Sequence, residues 1–501
     1  MRLSYASLLA TAAVITAEPL PTKQYGKKYP KPPVSSQPLQ DLITTKGLME
    51  NLQALQDIAT ANGGNRAFGL PGYAASVEYI LSQTQDSPHF TTWIQDFPAL
   101  FTLVESISFS AGDAENITVI GLNYSPSTSE EGVTAPLVAG PTGDVGCTAE
   151  GYSGLDVEGK IVIVQRGACP DGTTLAGRMK PAAAAGAVAV IIYNNVATDV
   201  TAGTLSAPNP EEYVPTGFIN QDVGVGLVER LTAGEEIEAY FQQTQLIEER
   251  ITQNVFTETK GGDPENVIML GAHLDSVQAG PGINDDGSGT TLILEVAQAL
   301  ENFSVKNKVR FAWWGAEENG LLGSEWYVNN LAPAEVNSIL AYLNFDMVSK
   351  GYFGVFDGDG SSFNLSGPAG SDVIEKIFVD DMTSKGTNVT AARFTGGSDY
   401  ASFMDILGKP VGGLHTGTGV EQDPCYHQVC DTIENPDPET LTVNAKAAAH
   451  VLSVLAMEGE KIIPKTLVNG TIEARSLYER SEIEWTIFEG DEHLRTCGHE
   501  S

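Results

Sequence analysis

The sequence predicts an α/β protein, a mostly parallel and helix-covered sheet with a β-rich block inserted into it. Three observations lead there. From about residue 250 apolar strands, loops and helices alternate, a pattern that builds right-handed βαβ units. Between about 110 and 245 the character changes, and short Val/Ile strands bracket one Ala-rich helix. At 501 residues the chain also exceeds what one ordinary core organises, so two folded units with processed ends are expected.

Residues 1–17, MRLSYASLLATAAVITA, join a basic start at Arg2 to a short apolar stretch ending in small residues. This is the pattern of a secretory signal cleaved after Ala17. The run is too short to span a bilayer, and no other stretch approaches that length. Residues 18–45 are Pro- and Lys-rich and read as an extended leader or tether. The main domain is expected over 46–110 and 246–460. Its first part holds a helix in GLMENLQALQDIATANGG, closed by Gly63 and Gly64, and a second in GYAASVEYILSQTQ. The inserted block, 111–245, carries the strands KIVIVQRG and VAVIIYNN around the helix RMKPAAAAGA. The second part alternates the strands NVIMLGAH, KVRFAWWG and ILAYLNFDMV with helices in TTLILEVAQALENF and near GLLGSEWYVNNL. Residues 461–501 lack periodicity and form a tail.

Lys and Arg number 28 against 64 Asp and Glu, a formal charge of −36. That balance excludes nucleic acid and anionic membrane surfaces as partners. Sequons at Asn116, Asn123, Asn302, Asn364, Asn388 and Asn469 agree with a secreted glycoprotein, with the vacuole as second choice and the cytosol disfavoured. The five cysteines fit an oxidising compartment. Cys425 with Cys430, and Cys147 with Cys169, read as two local disulfides, leaving Cys497 in the tail; the spacings match no common zinc motif.

In sheets of this kind ligands bind at the carboxyl ends of the strands. Those ends hold His273 and Asp275, Asp285 and Asp286, Glu317 and Glu318, Asp346, and His427. Singly each has a bland account, a satisfied core histidine or a helix cap. Five separate ends carrying His or carboxylate are another matter. Glu317 and Glu318 sharpen the point, since two adjacent carboxylates at an apolar strand end repel each other and need a positive charge. Imidazoles and carboxylates without cysteine suit Zn²⁺, and there are more carboxylates than one zinc uses, so two zinc ions per chain are expected.

The motifs NGGNRAFGLPGYAASVEYI, GAHLDSVQAGPGINDDGSG, FAWWGAEENGLLGS, YLNFDM and CYHQVCD resemble the two-zinc metallo-aminopeptidase family of secreted bacterial and fungal enzymes, over roughly residues 45–100 and 250–455. The match includes its secreted fungal leucine aminopeptidase and aminopeptidase Y-like members. IVIVQRGAC and AAAAGAVAVIIYNN in the inserted block resemble a protease-associated domain. The resemblance implies a zinc exopeptidase fold and hydrolysis of the N-terminal residue, Leu-type preferred, from peptides with a free amine. It implies that His273 and Asp346 hold one zinc, Glu318 and His427 the other, and that Asp285 bridges. Asp275 would accept the N–H of His273, Glu317 would be the general base acting on a zinc-activated water, and Tyr426 would donate to the oxyanion. The Asp285–Asp286 peptide would be cis.

One departure stands out: Gly397 in TGGSDYASF occupies a place where some bacterial relatives carry an arginine, leaving carboxylates to meet the substrate amine. His415 is expected in the pocket wall, and the Cys425–Cys430 loop to steady Tyr426 and His427. The inserted domain is expected to act as a lid, and the protein to be a monomer. Three other readings remain at this stage: a one-zinc glutaminyl cyclase, a carboxypeptidase of the same superfamily, and a non-catalytic binding protein. The last is opposed by the presence of every inferred ligand.

Overall fold

A computed structural model describes residues 31–170, 173–197, 203–205 and 207–467. The signal segment, Asn469, Cys497 and the tail after 467 lie outside them. The chain opens with α1 (Ser36–Gln40), α2 (Thr45–Ala61) and α3 (Pro71–Thr84), then enters β1 (Phe90–Ala111). The inserted block follows: β2 (Ala114–Ile117), β3 (Ile120–Gly121), β4 (Val133–Ala139), β5 (Ile161–Gln165), α4 (Ala176–Ala184), β6 (Ala189–Tyr193), β7 (Thr216–Ile219) and α5 (Gln221–Thr232). Strand β8 (Glu238–Thr259) leads back, followed by β9 (Asp263–His273), α6 (Gly287–Leu300), β10 (Asn307–Trp314), α7 (Leu322–Asn329), α8 (Pro333–Ser338) and β11 (Ile339–Phe345). The chain ends in β12 (Phe353–Phe356), α9 (Ser371–Ser384), β13 (Val389–Ala392), β14 (Val411–His415) and α10 (Pro438–Ile462).

The main sheet runs β13-β12-β14-β11-β9-β10-β8. Strands β14, β11, β9 and β10 are parallel, while β12 and β8 join antiparallel. Parallel strands covered on both faces read as unbroken apolar runs. Accordingly all seven residues of β11, ILAYLNF, are buried. Helix α6 beside them is so enclosed that only Gln298 escapes burial. Helix α2 starts where the Thr44 side chain accepts the N–H of Gly47 at 3.0 Å, and it buries Leu48, Leu52, Leu55 and Ala59 at helical spacing.

The inserted block has its own parallel core, β4-β5-β6-β7, with the fully buried strand AVIIY at its centre. It is joined to the main sheet by β1 and β8, which pair antiparallel from Phe90↔Thr259 to Ala111↔Ala239. The expected boundaries near 110 and 245 thus fall inside one continuous ladder, not in loops. Both short-range cysteine pairs are disulfides, with Cα atoms 5.7 Å apart for Cys147–Cys169 and 5.3 Å for Cys425–Cys430.

Two expectations need correction. The end of the leader is no tether: Val34, Leu39 and Ile43 are buried in the main core, and Ser36 Oγ meets His450 Nδ1 at 2.7 Å. Helix α10 does have the length and hydropathy of a membrane span, but Leu441, Val451, Leu452 and Leu455 are fully buried in that same core. Among the described sequons Asn116, Asn302, Asn364 and Asn388 are exposed, whereas half-buried Asn123 accepts a hydrogen bond from Thr102.

Candidate metal centre

Because β9, β10, β11 and β14 run parallel, their carboxyl ends share one edge of the sheet. His273 closes β9, Glu317 and Glu318 follow β10, Asp346 follows β11, and the disulfide loop after β14 brings Tyr426 and His427. Asp285 and Asp286 stand in the loop before α6, joined by the expected cis peptide.

Asp285 is the pivot. Its Oδ1 lies 3.1 Å from His273 Nε2 and its Oδ2 lies 3.1 Å from His427 Nε2. Asp346 Oδ1 is 3.6 Å from His273 Nε2, and Glu318 Oε2 is 3.0 Å from His427 Nε2. Two donor sets therefore share one carboxylate, His273 with Asp346 and His427 with Glu318. Ligand atoms at zinc distances in a tetrahedron lie roughly 3.3 Å apart. The buried Glu318 Oε1 has no hydrogen-bond partner, an orphan that a cation would satisfy. The residues fit zinc.

Glu317 is buried, with Oε2 3.9 Å from His273 Nε2, so that His273, Glu317 and Asp346 together also stand close enough to hold an ion. The electrostatics follow from crowding. Burial pushes the His273 imidazole down, but the Glu317 and Asp346 carboxylates outweigh it and hold its pKa well above the usual value. Burial raises Glu317 far above the ordinary carboxylate range, opposed by His273 and reinforced by Asp346. Burial also raises Glu318, against the pull of His427. Asp285 goes the other way: despite burial, its bonds to His273 and His427 keep it below the usual range. A cation answers this excess of buried negative charge and reverses the local logic of the carboxylates.

Asp275 stands differently from what the resemblance implies. The His273 Nδ1 partner is the Asp275 backbone carbonyl at 3.1 Å, with the Asp275 carboxylate at 3.7 Å. That carboxylate instead accepts the backbone N–H of Glu317 at 3.1 Å and of Glu318 at 3.3 Å. Asp286 caps α6, accepting the N–H of Gly289 at 2.8 Å, and also takes the N–H groups of His273 and Met347. Tyr426 stacks on His427 at 3.8 Å between ring centroids, and burial raises its hydroxyl well above the usual range. His415 is in the pocket wall as expected, its Nδ1 2.8 Å from the Asp346 carbonyl. Met347, Phe356, Tyr400 and Thr418 complete an apolar side of the cleft.

Three supporting residues carry no sequence signal of their own. Ser398 Oγ donates to Asp346 Oδ2 at 2.6 Å and accepts from Asn344. Asp431 holds the backbone of Asn284 and Asp285. Arg66 is fully buried and donates to the carbonyls of Leu274, Pro281 and Gly282, bracing the loop before Asp285. Arg66 and Asp431 do sit inside the conspicuous motifs NGGNRAFG and CYHQVCD, which was the available clue.

Residues 254–452 match peptidase family M28, and residues 133–227 match the PA domain. Leucine aminopeptidase 2 of Trichophyton rubrum is 39% identical over 457 residues, 87% of this chain and 89% of that protein. Probable leucine aminopeptidase 2 of Aspergillus fumigatus is 37% identical over 472 residues, covering 90% of this chain and 91% of its own. Among solved structures, an aminopeptidase from Aneurinibacillus sp. strain AM-1 superposes with a TM-score of 0.69 at 27% identity, over 88% of this chain and 99% of the other. A zinc aminopeptidase from Bacillus subtilis gives 0.68 at 25% identity, over 86% and 99%.

Proposed function

The chain belongs to peptidase family M28 and is a metallo-hydrolase of the aminopeptidase kind with an inserted PA domain, and from that premise we propose its reaction. It removes the N-terminal residue, Leu and similar apolar residues preferred, from peptides outside the cell, as a monomer with two zinc ions and Glu317 as general base. The observation that carries this reading is Asp285, whose two oxygens face two separate histidines at equal distance.

His273 and Asp346 would hold one zinc, His427 and Glu318 the other, and Asp285 both. Zinc, when bound, supplies positive charge that polarises the scissile carbonyl and lowers the pKa of the attacking water. Glu317 takes a proton from that water on its carboxylate and hands it to the leaving amine. Asp275 fixes the backbone under Glu317, so the base keeps its position during the transfer. The Tyr426 hydroxyl donates to the oxygen that becomes negative. The free α-amine of the substrate meets the surrounding carboxylates, since Gly397 contributes no cation to the cleft. Met347, Phe356 and Tyr400 receive the apolar side chain.

The test is hydrolysis of Leu-p-nitroanilide beside N-acetyl-Leu-p-nitroanilide, before and after chelation and zinc return. Cleavage of the free-amine substrate alone, lost with chelator and restored by zinc, is expected. No cleavage by folded, zinc-replete protein would overturn the aminopeptidase reading and turn attention to cyclisation of N-terminal Gln.

A further inference from the structure

A second group of carboxylates begins at Asp357, the residue that follows Phe356 of the cleft wall. Strand β12 runs antiparallel to β14, with Gly354 opposite His415 and Val355 opposite Leu414. Its carboxyl end therefore points away from the edge that carries His273, Asp346 and His427. Beyond that end the chain reads FDGDGSSFNLSGPAGSDVIEK. Asp357, Asp359 and Glu375 each bring one carboxylate oxygen within 4.8 Å of the others.

Acidic groups near one another are common on a protein this acidic, so proximity alone says nothing. The telling residue is Asp357. It is fully buried, and its Oδ2 accepts the N–H of Ser362 at 3.1 Å and of Phe363 at 2.9 Å. Its Oδ1 is buried with no hydrogen-bond partner. A buried carboxylate oxygen left bare costs several times what a satisfied one does. No basic side chain among the described residues relieves it: Lys376, next to Glu375 on α9, pairs with Asp380 at 2.8 Å instead.

The other two acids are spent in the same half-measure. Asp359 Oδ1 accepts the N–H of Ser361 at 2.7 Å, and Glu375 Oε2 accepts the N–H of Asp359 at 2.9 Å. The loop also has no room to retreat from α9, because a Cβ on Gly358 would meet the Ser371 carbonyl oxygen at 2.2 Å. Three carboxyl groups are thus held together through backbone N–H groups, one of them sealed from water. All the donors are oxygen, without histidine or cysteine, which selects a hard cation over zinc. The loop supplies irregular spacing and flexible coordination, which calcium accepts and magnesium does not.

We propose that Asp357, Asp359 and Glu375 bind a calcium ion that fastens the 357–370 loop to the start of α9. The ion is structural: it satisfies the bare Asp357 oxygen and reinforces the bond that already runs from the Asp359 N–H to the Glu375 carboxylate on α9. With three carboxylates, one of them exposed, the affinity falls in the micromolar-to-millimolar range. Calcium is held apart from the zinc centre, and so its binding can be read without any assay of peptide cleavage.

The experiment is a calorimetric titration of the zinc-loaded full chain with CaCl₂ into the millimolar range, with MgCl₂ as control and zinc content measured alongside. Wild-type protein is expected to take up one saturable Ca²⁺ and to melt at a higher temperature with it. Asp359→Asn at an exposed position and Glu375→Gln at a half-buried one are expected to weaken uptake by about tenfold or more while zinc stays bound. Asp357→Asn should abolish it. Glu78→Gln, an exposed charge on α3, should leave uptake unchanged. No uptake by wild-type protein would overturn the proposal, as would undiminished uptake in both carboxamide variants or an equal loss in Glu78→Gln.

Discussion

Asp431 Oδ2 accepts the backbone N–H of Asp285 at 3.0 Å. Its other oxygen accepts the N–H of Asn284 at 2.8 Å and the side-chain amide of Asn435 at 2.9 Å. Asp431 follows Cys430, so one short segment carries His427, closes the disulfide and clamps the shared carboxylate from behind. The position of Asp285 between two histidines is thereby set by a residue that touches no metal.

Asp431→Asn should therefore weaken the metal centre without altering any ligand. The new amide turns an N–H toward an N–H, and the Asp285 backbone loses its anchor. Zinc affinity, measured by competition with a chromogenic chelator, is expected to fall about 10–100-fold. Wild-type affinity in this variant would sink the positioning role.

The adjacent glutamates should fail in different ways. Glu317→Gln is expected to lower kcat by about 10²–10⁴ with zinc content and KM kept. Glu318→Gln should instead release zinc more readily, because it removes a charge 3.0 Å from His427 Nε2. Paired measurements of kcat and metal content on the two variants separate the roles; identical profiles would refute the division of labour.

Arg66 is the fixed cation behind the site. Burial lowers its pKa while Asp275, Asp286 and Asp431 push it back up. Arg66→Met would leave three backbone carbonyls and a set of buried carboxylates uncompensated. A loss of about 3–5 kcal/mol in unfolding free energy is expected from urea titration. A loss below 1 kcal/mol, on the order of a surface change, would contradict its bracing role.

Glu295 gives a pH signature away from the centre. It is buried against α2, where Asn51 donates to it at 3.0 Å, and burial reinforced by Glu50 raises its pKa from 4.5 to about 7. A carboxyl raised on folding holds its proton longer in the native state, so stability falls as pH climbs from 4.5 to about 7. Glu295→Gln keeps the hydrogen bond and removes the titration. Its stability should match wild type near pH 4 and exceed it above pH 7, by about 1–3 kcal/mol. Melting temperatures across that range test it, and a constant difference would exclude Glu295 as the source.

Much of this architecture is written locally. NVIMLGAH, KVRFAWWG and ILAYLNFDMV are long apolar runs ending in His or acid, and each became a parallel strand with a site residue just past its end. What escapes a reading of the sequence depends on distant partners. Residues 34–43 look like a Pro-rich tether because Val34, Leu39 and Ile43 are too sparse for a periodic signal; the groove against α10 gives them their burial. The antiparallel turn of β12 is invisible for the same reason, since four residues carry no direction. Asp275 is the instructive case within the centre. HLD reads as a histidine and its orienting acid, but the chain curves so that the carbonyl takes the imidazole and the carboxylate takes the Glu317 and Glu318 amides.

The β1/β8 ladder has an evolutionary consequence. Thr102 and Ile247 are register partners, so the chain leaves for the PA domain and comes back at neighbouring points. An insertion that departs and returns through adjacent strands needs no rerouting of the host. A gene could gain or shed the whole module between these strands, closing the gap with a short hairpin, and the catalytic sheet would keep its order. The ladder is in effect a graft union: the host stays intact, and the module is carried at the far end of the paired strands, where β4 joins β8 at Val133↔Phe241.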